Sequence, residues 1–172
     1  MKIESPSFTQ SDIDSFLDEQ VDHERIHLVE RLEAASDKLA ALVPRISSNR
    51  SEGGDWTAHE TLAHIAVLSK FYGVLVYRIA GGQMTEVDLI GNVNLRDVAG
   101  DQMAAMSPDD LLQAIRADHA RTAKLLRTVE PSALRKSATL ETGESITAEF
   151  IARYPLVNHL EQHIEQLEKE LA

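Results

Sequence analysis

The stretch Thr57-Ala58-His59-Glu60-Thr61-Leu62-Ala63-His64-Ile65, continued through Leu68, Phe71, Leu75 and Ile79 to Gly81-Gly82, decides the fold. Thr57 followed three residues later by Glu60 has the form of a capping box: the hydroxyl takes a backbone N–H and the carboxylate reaches back. His64, Leu68, Phe71, Leu75 and Ile79 then recur at helical spacing, on a stripe that an amphipathic helix turns toward a core. The paired glycines end the helix. His64, Lys70 and Arg78 interrupt this apolar segment, so it reads as a buried bundle helix rather than a membrane span.

Three further helices follow from the same signals. Ser11 to Val43 carries an apolar seam of Val21, Leu28, Leu32, Ala35, Leu39 and Leu42, and Pro44 stops it. Ser107-Pro108-Asp109-Asp110 opens a third helix with a serine cap, a proline in the first turn and two acids near the positive end of the helix dipole. That helix runs to about Val129, with Leu112, Ile115, Thr122, Leu126 and Val129 facing inward. The last helix starts near Thr147 and continues through Phe150, Val157, Leu160, Ile164, Leu167 and Leu171. Pro155 lies inside it and predicts a kink one turn before His159. Ser47 to Asp55 reads as a polar loop. The irregular stretch Gln83 to Met106 is long enough to cross the bundle or carry a short helix. Around Glu141-Thr142-Gly143-Glu144 a turn suggests a small hairpin. The fold class is therefore all-α.

With 172 residues, 43% hydrophobic and 26% charged, the chain has the size and composition of a single globular domain spanning 1–172. A formal charge of −11 repels a phosphate backbone, which makes nucleic acid an unsuitable partner. Zero cysteines exclude disulfides, a cysteine nucleophile and thiolate metal ligation, so a transition-metal site must use histidine and carboxylate. The opening residues Met1 to Phe16 are polar and acidic and lack a secretory pattern, so a cytoplasmic location without membrane anchoring is the default. A homodimer is compatible with these properties.

Seven histidines are available. His159 and His163 lie four apart on the last helix and can present two imidazoles to one ion, with His64 the best third ligand. On its own each signal is weak. A pair at this spacing also suits a solvated face, and a lone histidine on an apolar stripe is more often a hydrogen-bonded core residue. His23 and His27 share the spacing but point away from their seam and read as solvent-exposed. His59, on a different face from His64, also reads as exposed. His119 falls on an inward stripe, as a fourth ligand, a group supporting a ligand, or a satisfied core residue. Glu60 is a weak catalytic candidate, able to orient an imidazole or take a proton, although its capping role already explains it.

Taken together, Trp56-Thr57 with Glu60 and His64-Ile65 near the start of the second helix, and His159, His163 and Gln166 in the last, resemble the DinB/YfiT-like superfamily. The resemblance implies a four-helix bundle, up-down-down-up, with a long crossover between helices two and three. It also implies that His64, His159 and His163 hold a divalent metal such as zinc, nickel or iron. Characterised members use low-molecular-weight thiols such as mycothiol or bacillithiol, as S-transferases or a maleylpyruvate isomerase. A three-histidine site leaves a coordination position for a water or a thiol. The expected function is thiol-dependent transfer chemistry on a small electrophile. The alternatives are a metal-dependent hydrolase and a non-catalytic metal-binding or interaction bundle, which a closed four-ligand site would favour.

Overall fold

The computed structural model describes residues 8–49, 55–89 and 99–172. Four long helices dominate: α1 (Gln10–Leu42), α2 (Ala58–Ala80), α3 (Pro108–Thr128) and α4, which is continuous from Ala148 to Glu170 in three segments, Ala148–Ile151, Ala152–Asn158 and His159–Glu170. Each begins where a side chain can satisfy otherwise unpaired backbone N–H groups. Thr9 forms a capping box with Asp12 and Thr57 with Glu60, while Ser107 accepts from Asp110 N–H and Thr147 from Phe150 N–H. At the end of α2, Gly82 adopts φ 69°, and the N–H of Gln83 reaches back to the Arg78 carbonyl at 2.8 Å. That is the left-handed closure that glycine permits without a Cβ clash.

Helix directions follow from which residues meet. Ser69 bonds His119 at 2.8 Å, and one turn further along both helices Gly73 abuts Thr122, so α2 and α3 run parallel. Ser36 also meets His119, while Arg25, earlier in α1, donates to the Leu126 carbonyl at 2.6 Å, so α1 and α3 are antiparallel. Glu24 pairs with Arg153 and Arg31 with Glu161, making α1 and α4 parallel. Glu170 accepts from Ala58 N–H at 2.8 Å while the histidines of α4 meet His64, making α2 and α4 antiparallel. The order is up-down-down-up. Both α1 and α2 pack on α3 and α4, so each sequential pair α1/α2 and α3/α4 lies on a diagonal. Part of the connection from α2 to α3 was expected to cross the bundle; residues 90–98 fall outside the described residues.

The core is aliphatic, built around Leu28, Leu32 and Leu39 of α1, Leu62, Ile65 and Ile79 of α2, Leu111, Ile115 and Leu126 of α3, and Ile151, Leu156, Leu160 and Ile164 of α4. At about 1.5 Å per residue α1 is about 50 Å long against about 35 Å for α2. Its first turns therefore leave Ile13, Phe16 and Leu17 exposed.

Two features differ from expectation. The hairpin before α4 exists, as antiparallel β2 (Ser137–Leu140) and β3 (Ser145–Thr147) around Gly143, but it is joined by β1 (Glu86–Val87), which pairs parallel to β2. Phe150, placed on the inward seam by its seven-residue spacing from Val157, is 44% exposed and stacks on Tyr154. The cause is the middle segment of α4, Ala152–Asn158, which is π-helical and contains Pro155. A π-turn accommodates one additional residue, so everything before it is rotated by about 100° relative to an unbroken α-helix. The kink anticipated at Pro155 takes this form.

Candidate metal centre

Thr57 fixes where α2 begins and therefore places His64 two turns in, on the side facing α4. The neighbours Leu62, Ala63, Ile65, Ala66 and Leu68 are all buried. His64 itself is half-buried rather than in the core. Over Thr61–Ser69, α2 is covered round almost its whole circumference, so an apolar stripe does not single out the direction of the bundle axis there. The His64 ring lies against Trp56, with centroids 4.7 Å apart, and half of Trp56 remains in solvent.

On α4, His159 and His163 sit one turn apart on one side, with ring centroids separated by 4.5 Å and their Nε2 atoms by 2.9 Å. The ring of His64 lies 5.8 Å from His159 and 4.9 Å from His163, each nearly edge-on. One potential ligand atom from each histidine lies within 4.8 Å of the others. A zinc-like ion bound through nitrogens at about 2.0 to 2.1 Å sets tetrahedral ligand atoms about 3.3 Å apart, so modest side-chain rotation closes the set. Among the described residues this is the one such group of histidines and carboxylates, and it numbers three.

His163 Nδ1 lies 3.3 Å from the Gln166 side-chain oxygen, an acceptor that calls for a proton on Nδ1. The two Nε2 atoms face each other at hydrogen-bond distance. Burial lowers the pKa of His159, further aided by His163 and opposed by Pro155; burial likewise lowers His163, opposed by Gln166. The neutral form that ligates metal is favoured. Arg31 holds α4 beside the pair, bonding Asn158 at 2.6 Å and Glu161 at 2.9 Å. An open hollow lined by Asp55, Trp56, Gln166, Lys169 and Glu170 adjoins it.

The other histidines separate clearly. His23 and His27 are exposed, as expected. His59 is not: it is 3% exposed, with its ring nitrogens 2.9 Å from the Met106 carbonyl and 3.2 Å from the Asn49 carbonyl. The segments leading away from α1 and into α3 close over the first turn of α2 and bury it. His119 is 3% exposed and hydrogen-bonded to Ser36 at 2.6 Å and Ser69 at 2.8 Å, which makes it a satisfied core residue apart from the triad. Burial pushes its pKa down to about 4. Glu60 accepts from Thr57 N–H at 2.9 Å, the capping role.

Known proteins place this architecture. YfiT from Bacillus subtilis, described as a probable metal-dependent hydrolase with an unusual four-helix bundle topology, superposes with a TM-score of 0.62 at 18% identity, covering 99% of this chain and 93% of YfiT. The mycothiol-dependent maleylpyruvate isomerase superposes with a TM-score of 0.59 at 15% identity, over 87% of this chain. The chain spans 59% of that isomerase. At these identities the likeness is one of fold. No curated protein matches the sequence. The family model for the DinB superfamily matches residues 13–167. Nearly the whole bundle is included, and the chain belongs to the DinB superfamily.

Proposed function

We propose that this protein is a divalent-metal-dependent enzyme acting on a small electrophile, with a low-molecular-weight thiol as co-substrate. The observation that carries the reading is the convergence of His64, His159 and His163, with the Nε2 atoms of the α4 histidines turned toward each other. A divalent ion bound there, with a coordination position left over, lowers the pKa of a thiol or water and so supplies a nucleophile at neutral pH. His64 comes from α2 and the pair from α4, so the packing of two antiparallel helices sets the ligand geometry. Gln166 orients the His163 ring. Trp56 provides an apolar wall beside His64, and the adjoining hollow offers space for a substrate on the solvent side. A three-ligand cluster among the described residues favours catalysis over a closed structural site.

The choice of a thiol draws on the mycothiol-dependent isomerase, and fits a chain with zero cysteines, in which a co-substrate would supply the thiol. YfiT favours the hydrolase as the second reading. The test is elemental analysis of untagged protein, followed by a screen of electrophiles with and without several small thiols. Native protein is compared with His64→Ala. Turnover that needs both metal and thiol, and is lost in His64→Ala, supports the proposal. Turnover without thiol assigns the protein to the hydrolases, and equal turnover by both proteins removes His64 from the chemistry.

A further inference from the structure

The face of α2 turned away from the metal centre carries a hollow of its own. Gly73 lies half a helical turn round from His64, and there α2 and α3 touch: a Cβ on Gly73 would meet Thr122 Oγ1 at 2.7 Å. With no side chain at Gly73 to fill the angle between the two helices, a trough of about 270 Å³ opens above the contact. Buried Ser69 and Thr122 close its floor. Lys70, Val74 and Tyr77 form one wall and Asp118, Arg121 and Leu125 the other. Each set recurs at helical spacing, so the trough follows both helices for about two turns, or about 10 Å.

The trough is polarised along its length. Because α2 and α3 are parallel, with Ser69 beside His119 and Gly73 beside Thr122, the two walls are in register. Lys70, Asp118 and Arg121 therefore share one end, and Val74, Tyr77 and Leu125 the other. At the charged end Arg121 reaches back to Asp118, while Lys70 takes part in no ion pair among the described residues. Two cations against one carboxylate leave a local charge of +1 on a chain whose formal charge is −11. At the other end Val74 is 47% and Tyr77 54% exposed, hydrocarbon that a ligand would take out of water. A concave, mostly apolar surface with a few polar groups gathered at one place is the usual form of a small-molecule site.

We propose that this trough binds a small amphiphilic monoanion, an aliphatic carboxylate of medium chain length. Its carboxylate sits at Lys70 and Arg121, and its chain lies along Val74, Tyr77 and Leu125. The sign of the head group follows from the local charge, since a cationic head would meet Lys70 as a like charge and a neutral one would leave it without a partner. The length follows from the two-turn walls, which an extended octanoate spans. A second copy of this chain fits less well, because a stable interface buries about 800 Å² on each partner, more than a two-turn trough offers. None of these residues belongs to the three-histidine site, so the inference stands apart from the proposed function.

Titration of the full chain with sodium octanoate, followed by 1H–15N correlation spectra, tests it. Saturable shifts are expected at the amides of residues 69–77 and 118–125, with His64, His159 and His163 unmoved. Octanol and octylamine should bind about 5- to 10-fold more weakly than octanoate, and Lys70→Glu should weaken octanoate by a similar factor while Lys70→Arg keeps it. Val74→Glu, at a half-exposed position that tolerates a polar side chain, should abolish binding by setting a carboxylate in the path of the chain. The proposal is overturned if no saturable shift occurs in the trough, if the shifts centre on the three histidines, or if octanol or the Lys70→Glu variant binds as well as the native pair. It is also overturned if sedimentation shows a dimer that Tyr77→Glu dissociates and octanoate does not, which would assign the face to a second copy. The titration is run on metal-stripped and Zn2+-loaded samples alike, so a failure to bind Zn2+ would refute the proposed function and leave this result standing.

Discussion

His119 makes a pH-dependent contribution whose size can be worked out. It is nearly inaccessible between Ser36 and Ser69, and burial holds its pKa at about 4 against an ordinary 6.5. The unfolded chain therefore binds a proton at this residue, at pH values between about 4 and 6.5, that the folded chain does not. The sign follows: stability is intact above the unfolded pKa, falls as the pH drops through this window, and has lost the whole contribution below the folded pKa. By linkage the loss is about 2 kcal/mol at pH 5 and approaches about 3 kcal/mol below the folded pKa. Acidic groups also titrate there, so the measurement must isolate one residue. Urea unfolding followed by circular dichroism, on wild-type and His119→Gln protein stripped of metal, does so. The variant has a constant offset from altered packing, and the other titrations cancel in the difference. The stability advantage of wild type over variant should shrink by about 2 kcal/mol between pH 7 and pH 5. Parallel pH curves would show that His119 is not held neutral by burial, and the description of it as a satisfied core residue would fail with them.

Three further outcomes are expected. His159→Ala should abolish stoichiometric binding of zinc or nickel while leaving helix content unchanged, because apolar seams supply most of the burial; metal analysis and circular dichroism on one sample check this, and loss of helix would indicate a structural site. Gly73→Leu should lower stability by about 1 to 3 kcal/mol in urea unfolding, since even a Cβ at that position would come within 2.7 Å of Thr122 Oγ1 where α2 and α3 touch. Arg31→Met removes the bonds to Asn158 and Glu161 beside His159, and should cost about 1 kcal/mol of stability because the pair is partly exposed, with little change in Zn2+ affinity.

The parts of this molecule that were legible from sequence are those decided by neighbours along the chain. Thr57 with Glu60, and Ser107 with Pro108, mark helix starts because caps operate over three residues. The pairing of His159 with His163 is legible for the same reason, since one helical turn brings them together. What the chain does not announce is decided by elements distant in sequence. His59 looks like a surface residue until Asn49 and Met106 close over it. Strand β1, two residues long, is too short for an alternating pattern and exists because β2 offers it an edge. Phe150 illustrates an intermediate case: its spacing from Val157 is helical, but one additional residue in the π-turn redirects it to solvent. The candidate site combines both kinds of information. Its local half, the α4 pair, depends on helical spacing. Its distant half, His64, reaches the pair because α2 and α4 are antiparallel neighbours, and that adjacency follows from the diagonal placement of α1 and α2. In a bundle whose helices followed one another in chain order around the square, α2 and α4 would lie on a diagonal. His64 would then face its two partners across the packed centre, where Leu62, Ile65, Leu160 and Ile164 leave no room for an ion and a substrate.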